Sequence, residues 1–360
     1  MEMEKEKNYK ELLDRLLQTA IEENASDLHL SVSHPPIIRI NGRLITLTNE
    51  NIISSHDARE IAMEMMNKDQ KEKFLNNYEV DFSYSYGNDA RFRVNIFFQR
   101  GEIACAMRLI PAQIRTLEEL RMPTSLYDFC DSAQGFVIVT GPTGHGKSTT
   151  LAALINRINK QKFNHIITVE DPIEYVFEEE KSLIDQREIH QDALSFPRAL
   201  KSVFRQDPDV IMVGEMRDPI TIATAITAAE TGHLVFSTLH TNSASQTMHR
   251  IIDSFPPEQQ NQIRAQLSTA LLGVISQRII PGVKGGLVPA CEIMVCTSAV
   301  SNLIRENKIH EIDLVIETSS EQGMISLNKS LFSLIKKREI SLKNALSYSR
   351  NPAELKRMVG

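Results

Sequence analysis

Apolar residues recur along this chain with two different periods. Leu12, Leu13, Leu16, Leu17, Ala20 and Ile21 fall at helical spacing, which predicts an amphipathic helix over residues 8–24. Leu28-His29-Leu30 alternates as a strand does. Ile37 to Ile45 reads as a hairpin with Asn41-Gly42 as its tight turn. Ser54-Ser55-His56-Asp57 opens a second helix running to about Asn76. Three alternating strands follow. In the second, Phe92, Val94, Ile96 and Phe98 share one face and Arg91, Arg93 and Asn95 the other. In the third, Ile103, Cys105, Met107 and Leu109 point inward and Arg108 outward. Residues 1–110 therefore predict a small α+β domain with an arginine row on one face of its sheet.

Pro111 to Pro123 marks a junction, with 111–122 as linker. Beyond it, short apolar runs replace the alternating ones: Gly135–Thr140, Ile166–Val169, Val210–Val213 and Leu234–Thr238, separated by helical stretches. Strands buried on both faces read this way, so residues 123–360 predict an α/β domain with a mainly parallel sheet. From about 297 to 360 the pattern is helical, and Asn351-Pro352 supplies the last helix with a cap and an N1 proline.

The chain has 360 residues, enough for two cores, with 42% hydrophobic and 24% charged residues, an ordinary globular balance. Its net charge of −6 provides no general basic field, so nucleic acid is not an expected partner. No apolar run nears the ~18 residues that a membrane span requires. Met1 to Lys7 is charged and resembles neither a secretory signal nor a transit peptide. Cys105, Cys130, Cys291 and Cys296 are scattered without a C-x₂-C pair, which argues against a structural zinc site and fits a reducing cytosol.

The chemistry concentrates in the second half. Gly141-Pro142-Thr143-Gly144-His145-Gly146-Lys147-Ser148, followed by Thr149, fits the phosphate-loop pattern G-x-x-x-x-G-K-[ST] between a predicted strand and a predicted helix. Glycines let consecutive N–H groups turn inward on a phosphate, and the helix N-terminus adds partial positive charge. Lys147 is placed to reach the β- and γ-phosphates and the Ser148 hydroxyl to hold Mg²⁺, so ATP with Mg²⁺ is the expected ligand. His145 lies inside the loop, its side chain expected to face solvent. Two strands end in acids: Val169-Glu170-Asp171-Pro172-Ile173-Glu174, and Val213-Gly214-Glu215-Met216-Arg217-Asp218. Carboxylates there can hold Mg²⁺ through water or orient the attacking water, although the same acids also suit helix caps. Gly214 stands where a magnesium-linked aspartate is usual, which shifts the inferred role to Glu215, with Glu170 beside it. His233 and His240 bracket the Leu234–Thr238 run, and Ser237-Thr238-Leu239-His240-Thr241 is patterned like a phosphate sensor. Both histidines are candidates.

The four segments Gly141–Thr150, Ile167–Tyr175, Val213–Asp218 and Thr231–Thr241 resemble, in order, the Walker A, Asp-box, Walker B and His-box of the secretion-type ATPases. Ser26-Asp27-Leu28-His29 and Asn351-Pro352-Ala353-Glu354-Leu355-Lys356 look like the branch that retracts type IV pili in twitching motility. The resemblance implies a PAS-like N-terminal domain, a RecA-like P-loop NTPase domain and a homohexameric motor. It implies action at the cytoplasmic face of the inner membrane, on a platform protein and the pilus base. It also implies N-terminal-domain arginines that reach the γ-phosphate, here Arg93 and Arg108 by motif position. Secretion and assembly relatives usually carry an extra N-terminal region and a four-cysteine module, which this sequence lacks. Two departures stand out. His145 occupies a position commonly serine, and Ala299-Val300-Ser301-Asn302-Leu303-Ile304-Arg305-Glu306 has Ser301 where the retraction motif has its first arginine. Thr297 is a candidate cap for the helix expected over 298–307. Three other readings stay open: an assembly or secretion ATPase of the same family, a nucleic-acid translocase on the same core, and an accessory paralogue that binds nucleotide but hydrolyses little.

Overall fold

The computed structural model describes residues 8–40, 42–87, 90–110 and 113–360. Asn41 of the expected hairpin turn, Pro111 of the junction and the charged start Met1 to Lys7 lie outside the described residues. The chain divides into two units: Met1–Gln113 with Glu174–Val176, and Ile114–Ile173 with Phe177–Gly360. Segment 114–122 is no bare tether, because Leu117 and Met122 are buried and Thr116 and Glu119 cap one another.

In the first unit, α1 (Tyr9–Glu22) is capped by Asn8 and buries Leu12, Leu13, Leu16, Leu17 and Ala20. It leads into β1 (Asp27–Ser31) and the hairpin β2 (Ile37–Ile40) and β3 (Arg43–Thr46). Where one helix was expected there are two, α2 (Ser55–Met65) and α3 (Lys68–Asn77). Met66 is extended, and Asn67 and Gln70 form a reciprocal capping box that starts the second helix anew. Strands β4 (Glu79–Tyr86), β5 (Ala90–Gln99) and β6 (Glu102–Ile110) complete a six-stranded antiparallel sheet of order β3-β2-β1-β6-β5-β4. Phe92, Val94, Ile96, Ile103, Cys105 and Met107 join the helices in one core, which leaves the arginine face on the other side.

The second unit opens with α4 (Tyr127–Asp131), then β7 (Gly135–Thr140), α5 (Lys147–Gln161), β8 (His165–Glu170), β9 (Leu183–Glu188) and α6 (Phe196–Val203). Next come β10 (Val210–Val213), α7 (Pro219–Glu230), β11 (Leu234–Leu239), α8 (Ala244–Asp253) and α9 (Pro257–Ala270). The long hairpin β12 (Leu271–Pro281) and β13 (Leu287–Val295) follows. The sheet is seven-stranded, in the order β13-β12-β7-β11-β10-β8-β9. All its pairings are parallel except β12 with β13. This is the expected α/β class with a mainly parallel sheet. The four apolar runs supply its middle strands, buried along their whole length. The tail is helical as read: α10 (Ser298–Arg305), α11 (Ile312–Thr318), α12 (Leu327–Lys336), α13 (Leu342–Tyr348) and α14 (Pro352–Val359). Its last three helices form a separate small core with Ile280, Val288 and Ala290 of the hairpin.

The capping box at Asn67 is the sequence feature that divides α2 from α3. Asn67→Ala removes the side-chain acceptor for the Gln70 N–H and should lower unfolding free energy by about 1 kcal/mol. Urea denaturation checks this; an unchanged midpoint would show that the helix break does not depend on the cap.

Candidate active site

The parallel order brings the C-terminal ends of β7, β11, β10 and β8 together. The loop after β7 is compact because its glycines permit it. Gly141 has φ +149°, and a Cβ there would stand 2.5 Å from the Gln277 carbonyl oxygen of β12. Gly146, at φ +78°, caps α5, and a Cβ on it would meet the Gln277 amide at 2.9 Å. Thr150 Oγ1 donates to Gln277 Oε1 at 2.8 Å, so one residue of β12 braces both ends of the loop. Arg278 beside it donates to the Asn242 carbonyl and side chain, both at 2.9 Å.

Lys147 begins α5 and is only 7% exposed, so its ammonium needs protein partners. It donates to the Gly141 and Pro142 carbonyls at 3.0 and 3.1 Å. It also donates to His240 Nδ1 at 3.4 Å. A lysine can only donate, so Nδ1 is the acceptor in this contact. The ring's Nε2 lies 3.6 Å from Glu215 Oε2. Thr143 Oγ1 lies 3.3 Å from the same Nδ1. The imidazole thus stands between the loop lysine and the acid after β10. Glu215 Oε1 is also paired with Arg217.

Glu170 at the end of β8 is buried. Its Oε1 accepts from Thr168 Oγ1 at 2.7 Å and Gln186 Nε2 at 3.2 Å. Gly214 runs close beside it: a Cβ there would stand 3.4 Å from both Glu170 Cα and the Val169 carbonyl, in van der Waals contact with the end of β8. Glu174 is exposed.

Two expectations need correction. His145 does not face solvent. Its Nδ1 accepts a hydrogen bond from the Ile279 N–H of β12 at 2.9 Å, and its ring centroid lies 6.4 Å from that of Tyr348. Burial, with the Arg278 and Lys147 charges, lowers its pKa. His233 is not at this site. It precedes β11, at the opposite end of the strand from His240, with Nδ1 2.9 Å from the Ala228 carbonyl and its ring edge-on to Phe204. In a parallel sheet only the C-terminal strand ends gather at the phosphate loop, so the chain does not bring His233 to it.

Within the first unit, Arg93 and Arg108 are directly paired on β5 and β6. Arg93 holds Asp81 at 2.6 Å and Arg108 holds Asp27 at 3.0 Å. The Arg108 side chain remains 70% exposed while Asp27 is 11% exposed, so the guanidinium is anchored at one edge only. These acids were not singled out from sequence; each sits in a strand that neighbours its arginine's strand. In the tail, Val300 and Ile304 of α10 are buried and Leu303 packs beside them. Thr297 takes the cap position without a side-chain cap bond. Ser301 Oγ donates to the Ser268 carbonyl at 2.6 Å, which seats that departure from the retraction motif against the end of α9. Burial pushes the thiols of Cys105, Cys130 and Cys291 up to about 12, which makes them poor nucleophiles.

Residues 2–344 match the sequence model of the family described as Type II/IV secretion system protein. The chain belongs to this family. It is 45% identical to the type IV pilus retraction ATPase PilT of Pseudomonas aeruginosa, over 94% of this chain and 98% of that one. It is 47% identical to a twitching motility protein of Neisseria gonorrhoeae, over 88% of this chain and 84% of that one. A solved structure of the pilus retraction motor PilT with bound ADP superposes with a TM-score of 0.89 at 44% identity, covering 96% of this chain and 98% of that one. Among the described residues, no helix is long and apolar enough to cross a membrane.

Gly141→Ala tests the loop geometry. The added methyl meets the Gln277 carbonyl in a backbone conformation that alanine avoids, so the loop must shift. Nucleotide affinity should fall at least tenfold, the equivalent of about 1.4 kcal/mol. Undiminished affinity in a nucleotide titration would show that the close approach of β12 does not shape the loop.

Proposed function

We propose that this protein is a motor ATPase that retracts type IV pili. The hydrolytic part of that reading is carried by the His240 imidazole held between Lys147 and Glu215. The retraction part is carried by likeness to PilT over nearly the whole of both chains. In this reading the backbone N–H groups of residues 141–149 cradle the phosphates of ATP, and Lys147 leaves its loop carbonyls to bind the β- and γ-phosphates. Mg²⁺ suits the donor set, because the Ser148 hydroxyl and the Glu170 and Glu215 carboxylates are hard oxygen ligands. When bound, it would neutralise charge on the phosphates. Glu215 accepts the proton of the attacking water. His240, with its Nε2 toward Glu215 and Nδ1 toward the loop, reports whether the γ-phosphate is present. Glu170, held by Thr168 and Gln186, would help to hold the metal through water.

Arg93 and Arg108 act as fingers. They exchange Asp81 and Asp27 for the charge that develops during transfer. The motor works as a homohexamer at the cytoplasmic face of the inner membrane, with the platform protein and pilus base as partners. Arg305 and Glu306, at and just past the end of α10, couple hydrolysis to pilus release. A second reading, pilus assembly or type II secretion, has weaker support: a type II secretion protein E of Pseudomonas aeruginosa is 34% identical, against 45% for PilT of the same organism.

Glu215→Gln should bind ATP but leave it uncleaved, since the amide keeps the shape and cannot take the proton. Normal turnover in this variant, with Glu170→Gln inactive, would move the base to β8. Arg93→Ala and Arg108→Ala should lower kcat by roughly 10³-fold or more while nucleotide affinity changes little; unchanged kcat in both would return these arginines to a purely structural pairing.

Deleting the gene in its host should make pili accumulate and abolish twitching, whereas loss of pili would establish assembly instead. Arg305→Ala should keep purified ATPase activity within a few-fold of wild type and still block retraction in cells. Retraction at wild-type rates would remove the coupling role from α10.

A further inference from the structure

The phosphate loop of this chain is fastened at a point that its motif does not specify. Beyond Ser276, β12 has run past its last pairing with β7, at Thr140. The Ile279 N–H would therefore extend beyond the parallel ladder. It donates instead to His145 Nδ1 at 2.9 Å, across 134 positions of sequence. On its other side the imidazole lies against Tyr348 of α13, with ring planes tilted by 54°. That helix is itself fixed to the end of β12, because Asn344 Nδ2 donates to the Pro281 carbonyl at 3.0 Å. Gln277 meanwhile supports the loop's two ends, at Gly141 and Thr150. His145 supports its middle.

We infer that His145 is a positioning residue for nucleotide binding, holding the crest of the phosphate loop on β12 through the Ile279 amide so that the loop's N–H groups are preset for phosphate. The inference rests on the phosphate-loop reading above. The loop's own motif leaves this crest free: Gly144 before it has open space where a side chain would be. An untethered crest would sample many backbone states, and ordering them would cost part of the binding energy. The bond requires a neutral ring with a lone pair on Nδ1. Burial disfavours a second proton, as do the charges facing the ring, Arg278 from β12 and Lys147 from α5. Tyr348 from α13 also faces the ring. The ring thus keeps its acceptor at neutral pH.

The test compares His145→Ala with His145→Asn by ADP titration in the presence of Mg²⁺ and by amide exchange at Ile279. Asparagine's amide oxygen can take the place of Nδ1, so its variant should keep ADP affinity and Ile279 protection near wild type. The alanine variant should bind ADP about fivefold more weakly or worse, the usual effect of losing one hydrogen bond, and Ile279 should exchange faster. Wild-type affinity and protection in His145→Ala would overturn the inference. So would an asparagine variant as impaired as the alanine one, since ring packing alone would then explain the loss. Lys147→Ala serves as the control. If it too binds ADP normally, the phosphate-loop reading has failed; if it alone loses binding, only the role of His145 has.

Discussion

A lysine ammonium that is almost fully buried is the constraint around which the second unit is arranged. Lys147 cannot be hydrated at 7% exposure, so the chain must supply its partners or a ligand must. The Gly141 and Pro142 carbonyls do so only because the loop curls back on itself, and that curl requires glycine against β12. The third partner, His240, comes from the end of β11, the strand next to β7. Glu215 follows from β10, one strand further out. The strand order β7-β11-β10-β8 therefore lays lysine, histidine and two acids along one edge of the sheet. The chemistry is a consequence of topology.

The same arrangement bears on the proposed exchange of partners at Lys147. Lys147 donates to two loop carbonyls and to the His240 imidazole. Such partners are easier to leave than a full negative charge when phosphates arrive. Glu215 is paired with Arg217 and faces His240, so its two oxygens look in different directions. In the first unit Arg93 and Arg108 are likewise held by acids while a good part of each side chain stays in solvent.

Much of this was legible in the sequence. The four largely apolar runs named the middle strands, because strands buried on both faces carry few polar residues beyond small hydroxyls such as Thr140, Thr168, Ser237 and Thr238. The glycine loop, Glu170, Glu215 and His240 stood at the ends of those runs. What escaped has physical reasons. Strand β12 carries Ser276, Gln277 and Arg278, which interrupt its apolar pattern because two of them serve the loop and the His240 segment. Edge strand β9 exposes Leu183 and Asp185 and reads as a loop. The break between α2 and α3 was written in the Asn67-Gln70 pair, a signal hidden by continuous helical periodicity. His145 was misread because its partner is 134 residues away, beyond any local pattern. His233 could have been set aside from strand direction alone, since it precedes β11 and His240 follows it.

The role proposed for the Lys147 charge, presented by this loop, is to hold the phosphates through hydrolysis. The direct measurement is steady-state ATP hydrolysis by purified Lys147→Ala at saturating ATP and Mg²⁺. Loss of a charge aimed at the transferring phosphate should reduce turnover by at least about 10²-fold, toward background. Hydrolysis at the wild-type rate would show that the lysine does not hold the transferring phosphate.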